Sequence, residues 1–140
     1  MRYLRQHSSL NIREMDEEVM KANNDIWPDD NAYKDQVLVP KVLQEILQMK
    51  GVIYLTSYVP EELLKEARNH DFKIVLLDIS LEELQRRNQE RMKVEGYADA
   101  TPWLQLQLDT FARLSKDGLI DVIVEGENLA PVIAEELLSL

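Results

Sequence analysis

The chain has 140 residues, 45% hydrophobic and 30% charged, which is the balance of one globular domain with a real core and too short for two. A formal net charge of −10 argues against nucleic acid or an anionic membrane as the main partner. There is no cysteine, and the two histidines, His7 and His70, stand far apart, so disulfides and thiolate metal sites are excluded and no metal centre is expected.

In chain order, residues 1–9 read as the last turns of a short polar helix, and no signal-peptide core or membrane-length apolar run is seen, so the cytoplasm is the expected location. Asn11 to Met15 forms a short strand with Ile12 and Met15 as its apolar content. Asp16 closes it and caps a helix through Glu17, Glu18, Val19 and Met20. A loop rich in Asn and Asp follows around Pro28, with Ile26 and Trp27 as its large apolar residues. Tyr33 to Lys50 is the most regular helix, since Val39, Val42, Leu43, Ile46 and Leu47 recur at helical spacing and Gly51 ends it, with a kink expected at Pro40. Val52 to Leu55 is a continuous apolar strand running into Thr56-Ser57, and Pro60 opens a helix from Glu61 to Asn69.

The stretch from Phe72 to Tyr97 is the most distinctive. Ile74 to Leu77 reads as a buried strand ending at Asp78, and Ser80 caps a helix with Glu83 as its capping-box partner. Leu81 and Leu84 give that helix one apolar turn, but Gln85 to Arg91 are all polar, so it leaves the core as it runs. Arg87 and Arg91 are four apart and share a face suited to a polyphosphate; equally, Glu82 with Arg86 and Glu83 with Arg87 have the spacing of ordinary exposed ion pairs. Thr101 caps a helix to Lys116 with Pro102 in its first turn and Trp103, Leu104, Leu106, Leu108, Phe111 and Leu114 as its apolar content. Leu119 to Val124 is a last strand and Leu129 to Leu138 a terminal helix. Strands alternating with helices predict an α/β three-layer sandwich, a mostly parallel sheet covered on both faces, as a single domain over residues 1–140.

The run LLDIS, then LEEL and QRRNQER, resembles the passage into the lid of the P-loop small-molecule and nucleotide kinases, the group of shikimate, gluconate and nucleoside monophosphate kinases. The resemblance extends from about Leu10 onward. It implies ATP and magnesium as cofactors and a small-molecule or nucleotide acceptor. By position it implies Arg87 near the adenine and Arg91 on the transferring phosphates, with Arg86 able to replace either. It implies Asp16, or Glu17, at the phosphoryl acceptor or in the metal's water shell. Lys34, just after Tyr33, falls where related kinases place a substrate-binding arginine, although lysine lacks the bidentate fork. Thr56 and Ser57 are turn residues whose hydroxyls could reach substrate or a magnesium-bound water; Asp78 reads as structural, and Trp27 and Tyr97 as packing residues. No arginine lies between Arg13 and Arg68 to bind a carboxylate or monophosphate, which favours a neutral polyol or base.

The glycine-rich loop that defines those kinases has no counterpart. The four glycines are Gly51, Gly96, Gly118 and Gly126, and none is followed by lysine and Ser/Thr. The resemblance also places the loop's strand in mid-sheet, between the strands at Val52 and Phe72. Three arrangements would account for the gap: a truncated sequence, a missing strand supplied by a partner chain or a second copy, or direct pairing of the two strands. The expectation is a kinase-like remnant, catalytically poor by itself; the alternative is a non-catalytic α/β module that binds a protein partner or oligomerises.

Overall fold

The structure, a computed structural model, describes residues 2–96 and 98–140, with only the backbone of Arg2. The expectation for Tyr97 falls outside the described residues. The chain divides into two compact units, Met1–Phe72 and Lys73–Leu140.

In the first unit, helix α1 (Arg2–His7) leads into strand β1 (Asn11–Glu14) and helix α2 (Met15–Ala22). Helix α3 (Asn31–Tyr33) continues as a π-helical turn (Lys34–Leu38) and helix α4 (Val39–Leu47), followed by strand β2 (Val52–Leu55) and helix α5 (Glu61–Asn69). β1 and β2 pair in parallel, from Asn11 opposite Val52 to Glu14 opposite Leu55. The core is built from Met15, Val19, Leu38, Val39, Val42, Leu43 and Ile46, with Val52, Tyr54 and Phe72 packed against it. Val39, Val42, Leu43 and Ile46 are among the positions whose helical spacing identifies α4, and each full burial contributes about 1.5–3 kcal/mol.

Pro40 acts differently from the kink its position suggests. It has no N–H for the carbonyl four residues back, and its ring crowds that carbonyl. The preceding turn widens instead, with the Val39 N–H bonding the Lys34 carbonyl in the π register, so the expected helix from Tyr33 to Lys50 becomes three consecutive segments. Its start is fixed by Asp30, whose side chain accepts from the Ala32 N–H at 2.9 Å. β1 also stops one residue short of expectation, because Met15 already opens α2. Glu14 holds the N-cap position without a side-chain cap bond, and Asp16 lies inside the first turn rather than capping it.

The second unit holds strand β3 (Val75–Asp78), helices α6 (Leu81–Glu95) and α7 (Thr101–Lys116), strand β4 (Val122–Glu125) and helix α8 (Ala130–Leu138). β3 and β4 pair in parallel, from Val75 opposite Val122 to Asp78 opposite Glu125. β4 starts later than expected from Leu119. Leu119 is buried and closes the end of α7 by bonding the Leu114 carbonyl, and Asp121 is held by the Ile74 N–H at 2.7 Å.

All strand pairs are parallel, as expected of the α/β class, but the strands form two two-stranded sheets, β1–β2 and β3–β4. Direct pairing of the Val52 strand with the Phe72 strand is therefore corrected: β2 pairs with β1 and β3 with β4. Two more expectations change in α7. Trp103 and Leu106 are exposed, at 65% and 59%, so the buried stripe is carried by Leu104 and Leu114. Ala100 occupies the N-cap position, and the Asp99 carboxylate, not a Thr101 cap, takes the Thr101 N–H at 2.9 Å.

Candidate functional site

In an open parallel sheet, side chains that follow the carboxyl ends of the strands converge. In the first unit, Glu14 lies opposite Leu55, which brings Met15 and Asp16 beside Thr56 and Ser57. The contact is direct: Thr56 Oγ1 lies 3.2 Å from Met15 Sδ. The same hydroxyl closes a turn on Tyr58, donating to its carbonyl at 2.7 Å and accepting from its N–H at 3.1 Å. Thr56 is thus occupied as a turn residue, with Ser57 exposed next to it.

Four carboxylates crowd the start of α2, and their partners divide them. Arg5 grips Glu17 at 2.6 and 3.0 Å and holds its carboxyl below the usual range by hydrogen bonding. Glu18, nearly buried, meets Arg13 at 3.0 Å and Lys21 at 3.5 Å. Glu14 and Asp16 form no hydrogen bond or ion pair among the described residues. Partial burial, then the charges of Asp16 and Glu17, push the Glu14 carboxyl up. Asp16 is exposed at the strand end. Nearby, the Tyr54 hydroxyl is buried without a hydrogen-bond partner among the described residues, and burial followed by the charges of Glu18 and Asp16 drives it far above the ordinary phenol range.

Lys34 has its Nζ 3.5 Å from Asp35 Oδ1 and 5.6 Å from the centre of the Trp27 ring. Trp27 is 42% exposed, so it is a partly open face carrying a cation rather than a core packing residue. The Tyr58 hydroxyl is raised by burial, then by the charges of Asp35 and Glu62.

In the second unit, Arg87 of α6 reaches the residue that follows β4. Arg87 Nη2 reaches the Gly126 carbonyl at 3.3 Å, while its Nε bonds Glu83 at 2.9 Å. Arg86 bonds Glu83 at 2.6 and 2.9 Å and Glu90 at 3.0 Å; Glu83 and Glu90, rather than Glu82, are its observed partners. Held by both guanidinium groups, the Glu83 carboxyl falls to about 2. Arg91 lies 3.9 Å from Glu95, and Arg87, Glu90, Arg91, Val94 and Glu95 line one shallow concavity of about 230 Å³. The expected shared face of Arg87 and Arg91 is therefore present, and the ion-pair reading of the same residues is present with it.

Several organising residues are ones that spacing rules pass over. Ser80 accepts from the Glu83 N–H at 3.2 Å, but Glu83 does not complete the capping box: Glu127 takes the Ser80 N–H at 2.9 Å, and hydrogen bonding by the Ser80 side chain, then by its backbone, lowers the Glu127 carboxyl. Gly126 bonds the Asp78 carbonyl so closely that a Cβ there would stand 2.5 Å from Ile79 Cγ1. Asn88, the one buried residue of α6, donates to Asp99 at 2.8 Å and to Thr101 at 3.2 Å and accepts from the Ala100 N–H at 3.0 Å. An asparagine in a polar run gives no periodic signal; the Asp99-x-Thr101 turn signature near it was the available clue.

Comparison with solved structures identifies the architecture. The chain superposes on shikimate kinase from Aquifex aeolicus vf5 with a TM-score of 0.71 and 21% identity, over 99% of this chain and 84% of that one. Shikimate kinase from Bacteroides thetaiotaomicron gives 0.67 and 14%, over 99% and 89%. The fold is shikimate kinase-like. No protein-family model and no curated protein sequence matches the chain.

A nucleotide polyphosphate does not fit the described residues as a phosphate loop would hold it. Such a loop offers successive free N–H groups with a lysine and a hydroxyl. Here Gly51, Gly96 and Gly118 adopt positive φ at helix ends and turns, and Gly126 is packed against Ile79. Among the described residues no group of three or more His, Asp or Glu side chains is placed to hold a metal, and no helix is long and apolar enough to cross a membrane.

Proposed function

We propose that this chain is a scaffold of the P-loop kinase type, built for ATP-dependent phosphoryl transfer to a small molecule or nucleotide, and that it does not turn over without a phosphate loop supplied from elsewhere. The observation that carries this is the shikimate kinase-like fold. The fold's neighbours are kinases, and ATP with magnesium is the cofactor pair that goes with them. Asp16 would orient the acceptor hydroxyl, being exposed and without an ion pair among the described residues. Arg91 and Arg87, with Arg86 as substitute, would compensate phosphate charge. Lys34, Thr56 and Ser57 would border the acceptor, and the absence of arginine between Arg13 and Arg68 favours a neutral one. Phosphoryl transfer depends almost wholly on positioning and charge stabilisation, so the lack of loop amides, lysine and magnesium hydroxyl leaves the chain alone without the means.

A second reading is a non-catalytic binding module. It is favoured by the pairing of Arg86 and Arg87 with Glu83, which occupies the guanidinium groups that a polyphosphate would need. Calorimetric titration of the chain with ATP and magnesium separates the two readings. Saturable binding that an Arg87→Ala/Arg91→Ala double variant loses supports the phosphotransferase scaffold. No heat from either protein refutes nucleotide binding by this chain and leaves the module.

A further inference from the structure

Of the five methionines, two are exposed among the described residues, Met20 at 37% and Met92 at 38%. Met15 is buried and Met49 half-buried. Oxidation by a peroxide follows exposure, so Met20 and Met92 are the sulfurs within its reach. Their surroundings differ. The Met92 sulfur lies 3.7 Å from Asn88 Nδ2, one turn back on α6, whereas no hydrogen-bond donor meets the Met20 sulfur among the described residues. The chain has no cysteine to compete for the oxidant.

The Asn88 amide carries two N–H groups and has three acceptors around them: Asp99 Oδ1 at 2.8 Å, Thr101 Oγ1 at 3.2 Å and the Met92 sulfur at 3.7 Å. A thioether is a weak acceptor, so the two oxygens hold the protons and tie α6 to the start of α7. The amide carbonyl completes the tie by accepting from the Ala100 N–H at 3.0 Å. The side chain is 8% exposed, so water does not readily replace a lost partner. An oxygen added to the Met92 sulfur is a strong, polar acceptor, and the 3.7 Å separation leaves room for it to take an Asn88 N–H at ordinary hydrogen-bond length. Two N–H groups do not serve three oxygens. The longer bond, to Thr101, yields first, and because the amide is planar, drawing Nδ2 toward the sulfoxide swings Oδ1 away from Ala100.

We propose that Met92 is a reversible oxidation site through which a peroxide loosens the junction of α6 and α7. In the forward step the sulfur lone pair takes one oxygen from hydrogen peroxide. An S–O bond forms, the O–O bond breaks and the second oxygen leaves as water with both protons, so sulfur is oxidised and peroxide reduced by one electron pair. In the return step two thiols of a separate reductase supply the electron pair and two protons. The S–O bond breaks, water leaves, and the thiols become a disulfide. This goes beyond the phosphotransferase reading and stands without it, because it rests on the Asn88 junction alone.

Two full-length variants separate the exposed sulfurs: Met20→Leu keeps Met92, and Met92→Leu keeps Met20. Each is treated with hydrogen peroxide, peptide mass spectrometry reads which methionines gain an oxygen, and residue-level amide hydrogen exchange reads the junction. In the Met20→Leu protein, oxidation of Met92 should quicken exchange at Ala100 by about threefold or more and shift the NMR signals of the Asn88 side-chain amide. Methionine sulfoxide reductase with a thiol should restore both. In the Met92→Leu protein, oxidation of Met20 should leave Ala100 and Asn88 unchanged. Equal change at Ala100 in the two variants overturns the proposal in favour of general loosening. Unchanged or slower exchange at Ala100 once Met92 carries the oxygen also overturns it, as does a Met92 that stays reduced at a peroxide level that oxidises Met20. If either variant fails to fold, a peroxide time course on the unaltered chain decides: faster Ala100 exchange should grow in step with the Met92 oxygen, and growth in step with the Met20 oxygen instead overturns the proposal. None of these outcomes depends on whether ATP binds.

Discussion

Replacing Asn88 with alanine should loosen the junction of α6 and α7 more than any other single change among the polar residues of α6. The amide makes three bonds, to Asp99, Thr101 and the Ala100 N–H, at 2.8, 3.2 and 3.0 Å, from a side chain that is 8% exposed. Asp99 and Thr101 also bond each other and lie at the surface, so they rehydrate when the asparagine is lost. Ala100 is half-buried, and its N–H loses its acceptor. Counting about 1 kcal/mol for each lost bond and discounting the two to exposed partners gives a cost of about 2 kcal/mol. At about 3–4 °C per kcal/mol for a chain of this length, the melting temperature should fall by about 6–8 °C. Differential scanning calorimetry reads the shift, and amide exchange at Ala100 locates it. An unchanged melting temperature with unchanged Ala100 exchange would refute the view that Asn88 holds this junction.

Other changes test the remaining parts of the account. Gly126→Ala forces a Cβ to within 2.5 Å of Ile79 Cγ1 and 3.1 Å of the Asp78 carbonyl, and should cost about 1–3 kcal/mol in chemical denaturation. Ile46→Ala, at a site 2% exposed in the core of the first unit, should cost about 2–5 kcal/mol by the same assay. The Glu83 carboxyl, depressed to about 2 by Arg86 and Arg87, stabilises the fold above its unfolded value near 4.5. That stabilisation should fade as pH falls from about 4.5 toward 2, and a carbon-detected NMR titration should place the Glu83 midpoint near 2. Glu14 works in the opposite direction: its carboxyl is raised by burial, so its ionised form disfavours the fold, and Glu14→Gln should raise stability at pH 7 and leave it unchanged at pH 3.

The elements that repeat a period were legible in the sequence, and those fixed by single contacts were not. Val39, Val42, Leu43, Ile46 and Leu47 gave α4 by spacing alone, and all five are buried. The same rule overreached at α7, where Trp103 and Leu106 are apolar but sit on the exposed side, because hydropathy counts residues without knowing which face has a neighbour. The π-helical turn came from a local steric conflict at Pro40 that allows either a kink or a widened turn, and packing of Leu38 at 2% exposure goes with the second. The neighbourhood of Asp16 and Thr56 was legible from strand ends, a topological rule that needs only the order of elements. Asn88, Gly126 and Glu127 were not, since each owes its role to a partner at least eleven residues away in the chain.

The arginine helix shows why spacing left two readings open and why the geometry sharpens the choice between them. Arg87 bridges Glu83 and the Gly126 carbonyl, tying α6 to the end of β4, while Arg86 is 60% exposed and, among the described residues, held by carboxylates of its own helix. Exposed intrahelical pairs are worth little and rearrange readily. Arg86 can therefore turn to a new anion at small cost, whereas recruiting Arg87 would also break a tertiary bond. Should an anion bind this helix, Arg86→Ala ought to weaken binding and lower thermal stability less than Arg87→Ala, which also loses the bond to the Gly126 carbonyl. Equal loss of stability in the two variants would refute that division of roles.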